Sequence, residues 1–343
     1  MTEKLRFGLI GCGRVAPRHA QSLQYLPQAD LVAVADVIES RAEHFHKDYG
    51  SEPYTDYRVL LDRKDIDVIT ICTPSGLHAQ MGIEAAQAGK HIIVEKPISL
   101  STQDADRLIL AASDAGVKLC VVLQNRFNPP IQDLYHAVHG GKLGRLMLGN
   151  ATVRWYRPQS YYEDGWHGTW AMDGGALMNQ SIHHIDALQW LMGDVESVYS
   201  MTGTLAHQME AEDVGVAVLR FKNGALGGIE GSTLTYPQNL EGSVAIFGEH
   251  GSLKVGGTAL NRKVIWKIDG ELEKEQELIT ADLVDPPSVY GSSHKLVIED
   301  MIDAVLQDRQ PKTHGKEGRR SLALVEAIYN SARMKQAVSV NYG

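Results

Sequence analysis

Phe7-Gly8-Leu9-Ile10-Gly11-Cys12-Gly13-Arg14-Val15-Ala16 opens the chain with an apolar run that stops at Gly-x-Gly-x-x-Ala. Helical spacing follows through Pro17, His19 and Leu23. In a dinucleotide-binding turn the first glycine permits the tight bend, and the second lets the backbone approach a pyrophosphate. The third small residue lets helix pack on strand, and the helix N-terminus faces the phosphates. Gly11, Gly13, Arg14 and Val15 are therefore candidate cofactor contacts. A second apolar run, Leu31–Ala35, ends at Asp36, where the ribose-binding acid should fall. A carboxylate there accepts from both ribose hydroxyls and repels a 2′-phosphate. Val37 and Ile38 offer no arginine for such a phosphate, and Arg41 is the sole nearby candidate. The expected cofactor is NAD rather than NADP.

Working outward, the first ~125 residues alternate strand and helix in the rhythm of a parallel sheet. Strand patterns fall at Leu5–Ile10, Leu31–Ala35, Val68–Cys72, His91–Glu95 and Lys118–Leu123. Helical patterns lie between them, at Ala16–Tyr25, Ser40–Tyr49, His78–Ala88 and Gln103–Ala115. Ligands of such sheets bind outside the carboxyl ends of the strands. That rule gathers Thr73, Pro74, His78, Glu95 and Lys96 around one crevice, and Gln124 and Arg126 join the expected cofactor contacts after the last strand.

From about Phe127 the rhythm changes. One helix, Ile131–His139, leads into alternating runs from Leu146–Tyr156 to Val264–Ile268, with hairpin signals at Lys222-Asn223-Gly224 and Asp269-Gly270. The expected fold class is α/β: a doubly wound Rossmann sheet over residues 1–125, then an α+β domain over 126–343 with an open-faced, largely antiparallel sheet. A second copy of that sheet is the simplest cover for its open face, so a homo-oligomer is expected, dimer or tetramer. Helical patterns at His294–Gln307 and Gly318–Gln336 could pack back on the first domain, and Asp282–Ser293 has the composition of a functional loop.

Composition narrows the function. At 343 residues the chain is long enough for two domains. A net charge of −9 opposes nucleic acid and anionic membrane as partners. No apolar run approaches the ~20 residues that span a bilayer, and a strand begins too early to leave room for a signal peptide, so a cytoplasmic protein is expected. Cys12, Cys72 and Cys120 show no ligand spacing and read as buried thiols, with no metal site.

Two side chains stand out for chemistry. Lys96 follows a buried strand in Val94-Glu95-Lys96-Pro97, where proline prevents the strand from continuing. His183 lies after Gly174-Gly175, in a segment whose apolar positions Met178, Ile182, Ile185, Leu188 and Met192 trace one helical face. Asn179, His183, Asp186 and Trp190 form a second stripe, able to hold a substrate hydroxyl and orient a base. His184 points about 100° away and reads as a core or interface histidine.

The glycine turn, Glu95-Lys96-Pro97 and the Gly-Gly…Asn179-x-x-x-His183-x-x-Asp186 segment resemble the glucose–fructose oxidoreductase/inositol dehydrogenase/rhizopine-catabolism (Gfo/Idh/MocA) family. The resemblance implies hydride transfer between NAD(P) and a sugar or polyol, with Lys96 and His183 catalytic. Where many members carry an aspartate, this chain has Asn179, which can bind a hydroxyl but cannot act as a base. Within the family, Gln124–Asn128, Val153–Tyr162, Trp166-x-Gly168-Thr169-Trp170 and Gly291–Lys295 are similar to bacterial UDP-N-acetylglucosaminuronic acid 3-dehydrogenases of surface polysaccharide biosynthesis.

That resemblance implies an anionic nucleotide-sugar substrate. Arg126, Arg154, Arg157, His167 and Lys295 are cationic groups suited to it, and Trp166 can stack on a sugar. The expected substrate contacts are Arg154, Arg157, Trp166, Asn179, His183, Ser292 and Lys295, with Asn179 also counted as catalytic; the alternative for Arg154 and Arg157 is outward strand residues making surface pairs. Other sugar or inositol dehydrogenases, an NAD-dependent glycosidase and recycling of NADH by 2-oxoglutarate stay open.

Overall fold

The computed structural model describes residues 4–257, 259–271 and 293–343. The chain divides into two units, Met1–Gln124 with Ser292–Arg319, and Asn125–Gly291 with Arg320–Gly343.

The first unit is built on a parallel sheet of β1 (Leu5–Ile10), β2 (Ala29–Ala35), β3 (Glu52–Tyr54), β4 (Val68–Ile71), β5 (His91–Val94) and β6 (Leu119–Val121). The strand order is β3-β2-β1-β4-β5-β6 and every pairing is parallel. Central strands covered on both faces are near-continuous apolar runs, and Val68–Ile71, with Thr70 its one polar residue, is buried at every position. The order reverses between β1 and β4, so the switch point lies beside the glycine turn. Helices α1 (Ala16–Gln24), α2 (Glu39–Tyr49), α3 (Arg58–Asp62), α4 (His78–Gln87) and α5 (Thr102–Asp114) connect the strands. The sequence pattern misses β3 and α3. Both are short, and Pro53 removes a donor from β3, which is tolerable because β3 is an edge strand.

The later segment belongs to this unit through particular bonds. The Arg319 guanidinium grips both oxygens of Asp106, and Val121 N donates to Thr313 O at 2.7 Å. Helix α8 (His294–Leu306) lies here, counting the second unit's α6 (Pro129–His139) and α7 (Ile182–Met192) in chain order. Helix α9 (Gly315–Met334) carries the boundary between Arg319 and Arg320.

The second unit's sheet runs β13-β12-β11-β7-β10-β9-β8-β14, formed by β7 (Leu146–Arg154), β8 (Val195–Gly203), β9 (Val214–Phe221), β10 (Leu226–Ser232), β11 (Glu241–Gly248), β12 (Gly251–Gly256), β13 (Arg262–Ile268) and β14 (Val338–Ser339). Only the β7–β10 pair is parallel. Strand parity separates the faces. A Cβ on Gly149 would meet Met192 and Leu188 of α7, and one on Gly215 or Gly231 would meet Leu177. Alternate positions, Leu148, Leu226, Val216, Val218, Tyr199 and Met201, are exposed on the opposite face. All three cysteines are buried, and burial pushes the Cys12 and Cys120 thiols up to about 12. No helix among the described residues is long and apolar enough to cross a membrane.

Leu108 of α5 is fully buried, and a Cβ on Gly82 of α4 would lie 2.7 Å from its Cδ1. Leu108→Ala should therefore cost about 2–5 kcal/mol. Adding Gly82→Ala to that variant should return about 1 kcal/mol through helix propensity and space already vacated. The same change alone should gain less. Urea unfolding of the four proteins reads the coupling, and strict additivity would refute this account.

Candidate active site

In the first unit the glycine turn has the geometry its sequence requires. Gly11 has φ +92°, and a Cβ there would lie 2.8 Å from the Cys72 backbone carbon and oxygen. A Cβ on Gly13 would meet nothing within 4 Å, which leaves the backbone open to close approach. Val15 precedes α1 and brings no side-chain acceptor to the helix's first turn, whose N–H groups suit an anion. The Asp36 carboxylate is held at the turn by Cys12 N and Ile38 N, both donating at 2.8 Å. Arg14 is exposed. These residues fit a dinucleotide with an unphosphorylated ribose.

Behind the crevice the structure assigns different work to two expected cofactor contacts. His78 is 1 % exposed, with Nδ1 2.7 Å from Pro97 O and Nε2 2.9 Å from Thr73 O. The ring sits between two backbone carbonyls and its one N–H donates to one of them, so His78 links the loop after β4 to the loop after β5. Glu95 is 6 % exposed, with His19 Nε2 at 2.8 Å from Oε1 and Lys96 N donating to Oε2 at 3.3 Å. Burial would raise its carboxyl, but the hydrogen bond from His19 and the nearby imidazoles of His19 and His294 override it and hold Glu95 well below the usual carboxylate range. Lys96 and the Thr73-Pro74 turn are half-buried, and Gln124 is buried in the turn Gln124–Phe127.

In the second unit the His183 segment begins as a π-helical turn, Ala176–Ser181, before α7. The wider turn carries Asn179, and His183, Asp186 and Trp190 follow on the regular helix α7. The Asn179 amide donates to Asp173, whose other oxygen accepts from Gly168 N at 2.8 Å. Asp186 is buried three residues after His183. Its carboxylate takes the Arg126 fork at 2.7 and 2.8 Å and also accepts from Ser321. Arg126, expected on the cofactor, is thus buried in an ion pair, with its guanidinium 5.1 Å from the Trp190 ring. His184 is a core histidine: it is buried, neither ring nitrogen has a partner, and burial pulls it down to about 3.

The expected anion-binding residues separate. Arg154 lies on the sheet face away from α7, in a ladder with Glu230 (2.6 Å) and Glu241 (2.9 Å). Its charge is neutralised there, which corrects its assignment to the substrate. Arg157 remains with the His183 segment: its Nη2 donates to Gln180 Oε1 at 2.7 Å, and its guanidinium lies 5.2 Å from the Trp155 ring and 5.6 Å from that of Tyr161. Trp166 stacks on His167 at 3.6 Å. Lys295 forms a helical pair with Glu299 at 3.6 Å. Ser292 and the loop before it lie outside the described residues.

Glu212 escaped the sequence reading. Its carboxylate accepts from Leu177 N at 2.8 Å and Tyr329 Oη at 2.9 Å, while Oε2 is buried without a partner. It occupies the space a Cβ on Gly175 would fill, so the Gly174-Gly175 pair was the available signal.

Burial raises Glu212 from 4.5 to about 7. The folded state binds this proton more tightly, so the stabilisation is complete below about 4.5 and is lost as pH rises to about 7. Glu212→Gln should remove a pH dependence on the order of 3 kcal/mol, read from urea midpoints at pH 5 and 8; an unchanged slope would contradict the assignment. Asp186→Ala strands a buried guanidinium and should cost about 3–5 kcal/mol. Pairing it with Arg126→Met should recover much of that in thermal unfolding, and no recovery would show that the ion pair is not the cause.

Comparison with known proteins matches residues 5–123 to an oxidoreductase family's NAD-binding Rossmann fold and residues 136–340 to its C-terminal alpha/beta domain. The WlbA dehydrogenase of Bordetella pertussis, solved with NADH and UDP-GlcNAcA, is 42 % identical with a TM-score of 0.93 and 99 % of both chains covered. The WlbA dehydrogenase of Chromobacterium violaceum, with the same two ligands, is 38 % identical at TM-score 0.92, covering 99 % of this chain and 97 % of the other. Myo-inositol 2-dehydrogenase of Thermotoga maritima is 28 % identical over 98 % of each chain. With both halves matched and a turn shaped for the cofactor, the chain belongs to the Gfo/Idh/MocA family of NAD-dependent oxidoreductases.

Proposed function

We propose that this enzyme oxidises the C3 hydroxyl of a UDP-linked N-acetylhexosaminuronic acid to a 3-keto sugar. The observation that carries this reading is the 42 % and 38 % identity, over 99 % of this chain, to two dehydrogenases solved with UDP-GlcNAcA. Arg157 adds physical support, because a half-buried guanidinium between aromatic rings beside Gln180 suits a carboxylate or diphosphate.

NAD, when bound, supplies the acceptor for the hydride that leaves C3. His183 takes the hydroxyl proton as the C–O bond gains double-bond character. Lys96 hydrogen-bonds the same oxygen and offsets its developing negative charge, a contribution of a few kcal/mol in a site sheltered from water. Asn179, kept in place by Asp173, binds a neighbouring hydroxyl. The apolar positions on the open sheet face support a homo-oligomer in which a second copy covers them.

NADH absorbance after mixing enzyme and NAD with UDP-GlcNAcA, other UDP-hexoses and myo-inositol tests the substrate, each with and without 2-oxoglutarate. UDP-GlcNAcA should give the largest kcat/KM; turnover with inositol alone would overturn the reading. Lys96→Met and His183→Asn should each lower kcat by about 100-fold or more, with NADH affinity by fluorescence little changed. Near-normal turnover in either variant would remove that residue from the chemistry.

A further inference from the structure

His19, Glu95 and His294 are brought together from three elements of the first unit: α1, the end of β5 and the start of α8. All three are buried, and their nearest ligand-type atoms lie within 4.8 Å of one another. His19 Nε2 stands 2.8 Å from Glu95 Oε1, and His294 Nε2 lies 3.7 Å from the same oxygen. The two rings meet edge to face, with centroids 5.3 Å apart. A carboxylate between two imidazoles is also a donor set for a divalent cation. Two features favour direct hydrogen bonding instead. The 2.8 Å separation is that of a hydrogen bond, and His19 Nδ1 is buried with no partner. A metal-bound imidazole ordinarily donates its other N–H to a carboxylate, carbonyl or water.

Glu95 is the residue before Lys96, and its second oxygen accepts from the Lys96 backbone at 3.3 Å. On the other side of Lys96, Pro97 O is held by His78 at 2.7 Å. The lysine is thus flanked by residues that buried histidines hold in place. We propose that His19 and His294 are positioning residues, which lock the Glu95 carboxylate and through it set the backbone that presents the Lys96 ammonium to the reacting oxygen. The proposal rests on the role given to Lys96 above. A held backbone matters because an ångström of misplacement at a reacting group can cost 100-fold in rate.

The test compares His294→Ala, His294→Gln and Glu95→Gln in the full-length enzyme. His294→Ala should lower kcat by about 10- to 100-fold, while KM for NAD and NADH affinity stay close to wild type. His294→Gln keeps an N–H donor and should recover most of the loss. Glu95→Gln, which preserves shape, should repeat the kcat defect even if the alanine variant folds poorly. Unchanged kcat in Glu95→Gln, or parallel losses of kcat and NADH affinity without rescue by glutamine, would overturn the proposal. So would one equivalent of zinc per chain in purified enzyme, removable by chelator together with activity. Should the wild type oxidise no sugar, the functional reading fails separately. The rate of Lys96 modification by trinitrobenzenesulfonate, read by mass spectrometry, then still reports positioning, and an identical rate in His294→Ala would overturn it.

Discussion

An ionised carboxylate taken out of water costs several kcal/mol unless partners meet it where it lies. That constraint shapes both units beside the side chains proposed for the reaction. In the first, Glu95 is buried one residue before Lys96 and is met by His19 and His294, which come from helices far apart in the chain. In the second, Asp186 is buried three residues after His183 and is met by the Arg126 fork and the Ser321 hydroxyl. Each carboxylate therefore fixes neighbouring secondary structure to the segment that bears Lys96 or His183. Removing one partner is costly because the charge that remains has no water to turn to.

Glu212 answers the same constraint differently. Its Oε1 receives Leu177 N and Tyr329 Oη, both neutral donors, and burial lifts its carboxyl to about 7. The contrast with Glu95 is instructive, because both residues are almost completely enclosed. Imidazole partners keep one ionised, whereas neutral donors cannot do so for the other. Compensation by named partners, rather than burial itself, decides which protonation state the fold contains.

The parts of this architecture that are local in the chain were legible from sequence. Gly11, Gly13 and Asp36 are constrained by short-range geometry, a tight turn and the end of the next strand, so their spacing alone carried the cofactor reading. The alternating apolar runs likewise placed most strands. What could not be read depends on which face of an element the rest of the fold covers. Arg154 and Val153 are adjacent, yet parity sends one to the ladder with Glu230 and the other into the core. The helical periodicity likewise placed His183, Asp186 and Trp190 on one helix, but it could not show that Asn179 lies in a π-helical turn and donates to Asp173. His78 was misread because a histidine at the carboxyl end of a strand looks the same in sequence whether it faces ligand or two carbonyls.

Arg157 shows how electrostatics sorts the anion-binding candidates. A guanidinium already flanked by two carboxylates, as Arg154 is by Glu230 and Glu241, gains little by meeting a third anion and would have to surrender existing pairs. Arg157 instead donates to neutral acceptors, Gln180 Oε1, Tyr156 O and Asn239 Oδ1. Its charge is oriented by these bonds without being neutralised by them, and the faces of Trp155 and Tyr161 limit its rotation. An anion arriving there meets a guanidinium that no carboxylate has yet neutralised, so it adds an ion pair to the existing bonds without displacing another anion. The Arg157–Gln180 bond also ties that group to the segment bearing Asn179 and His183. In the proposed reaction, recognition of a charged substituent by Arg157 and placement of His183 as proton acceptor would be coupled through a few adjacent residues.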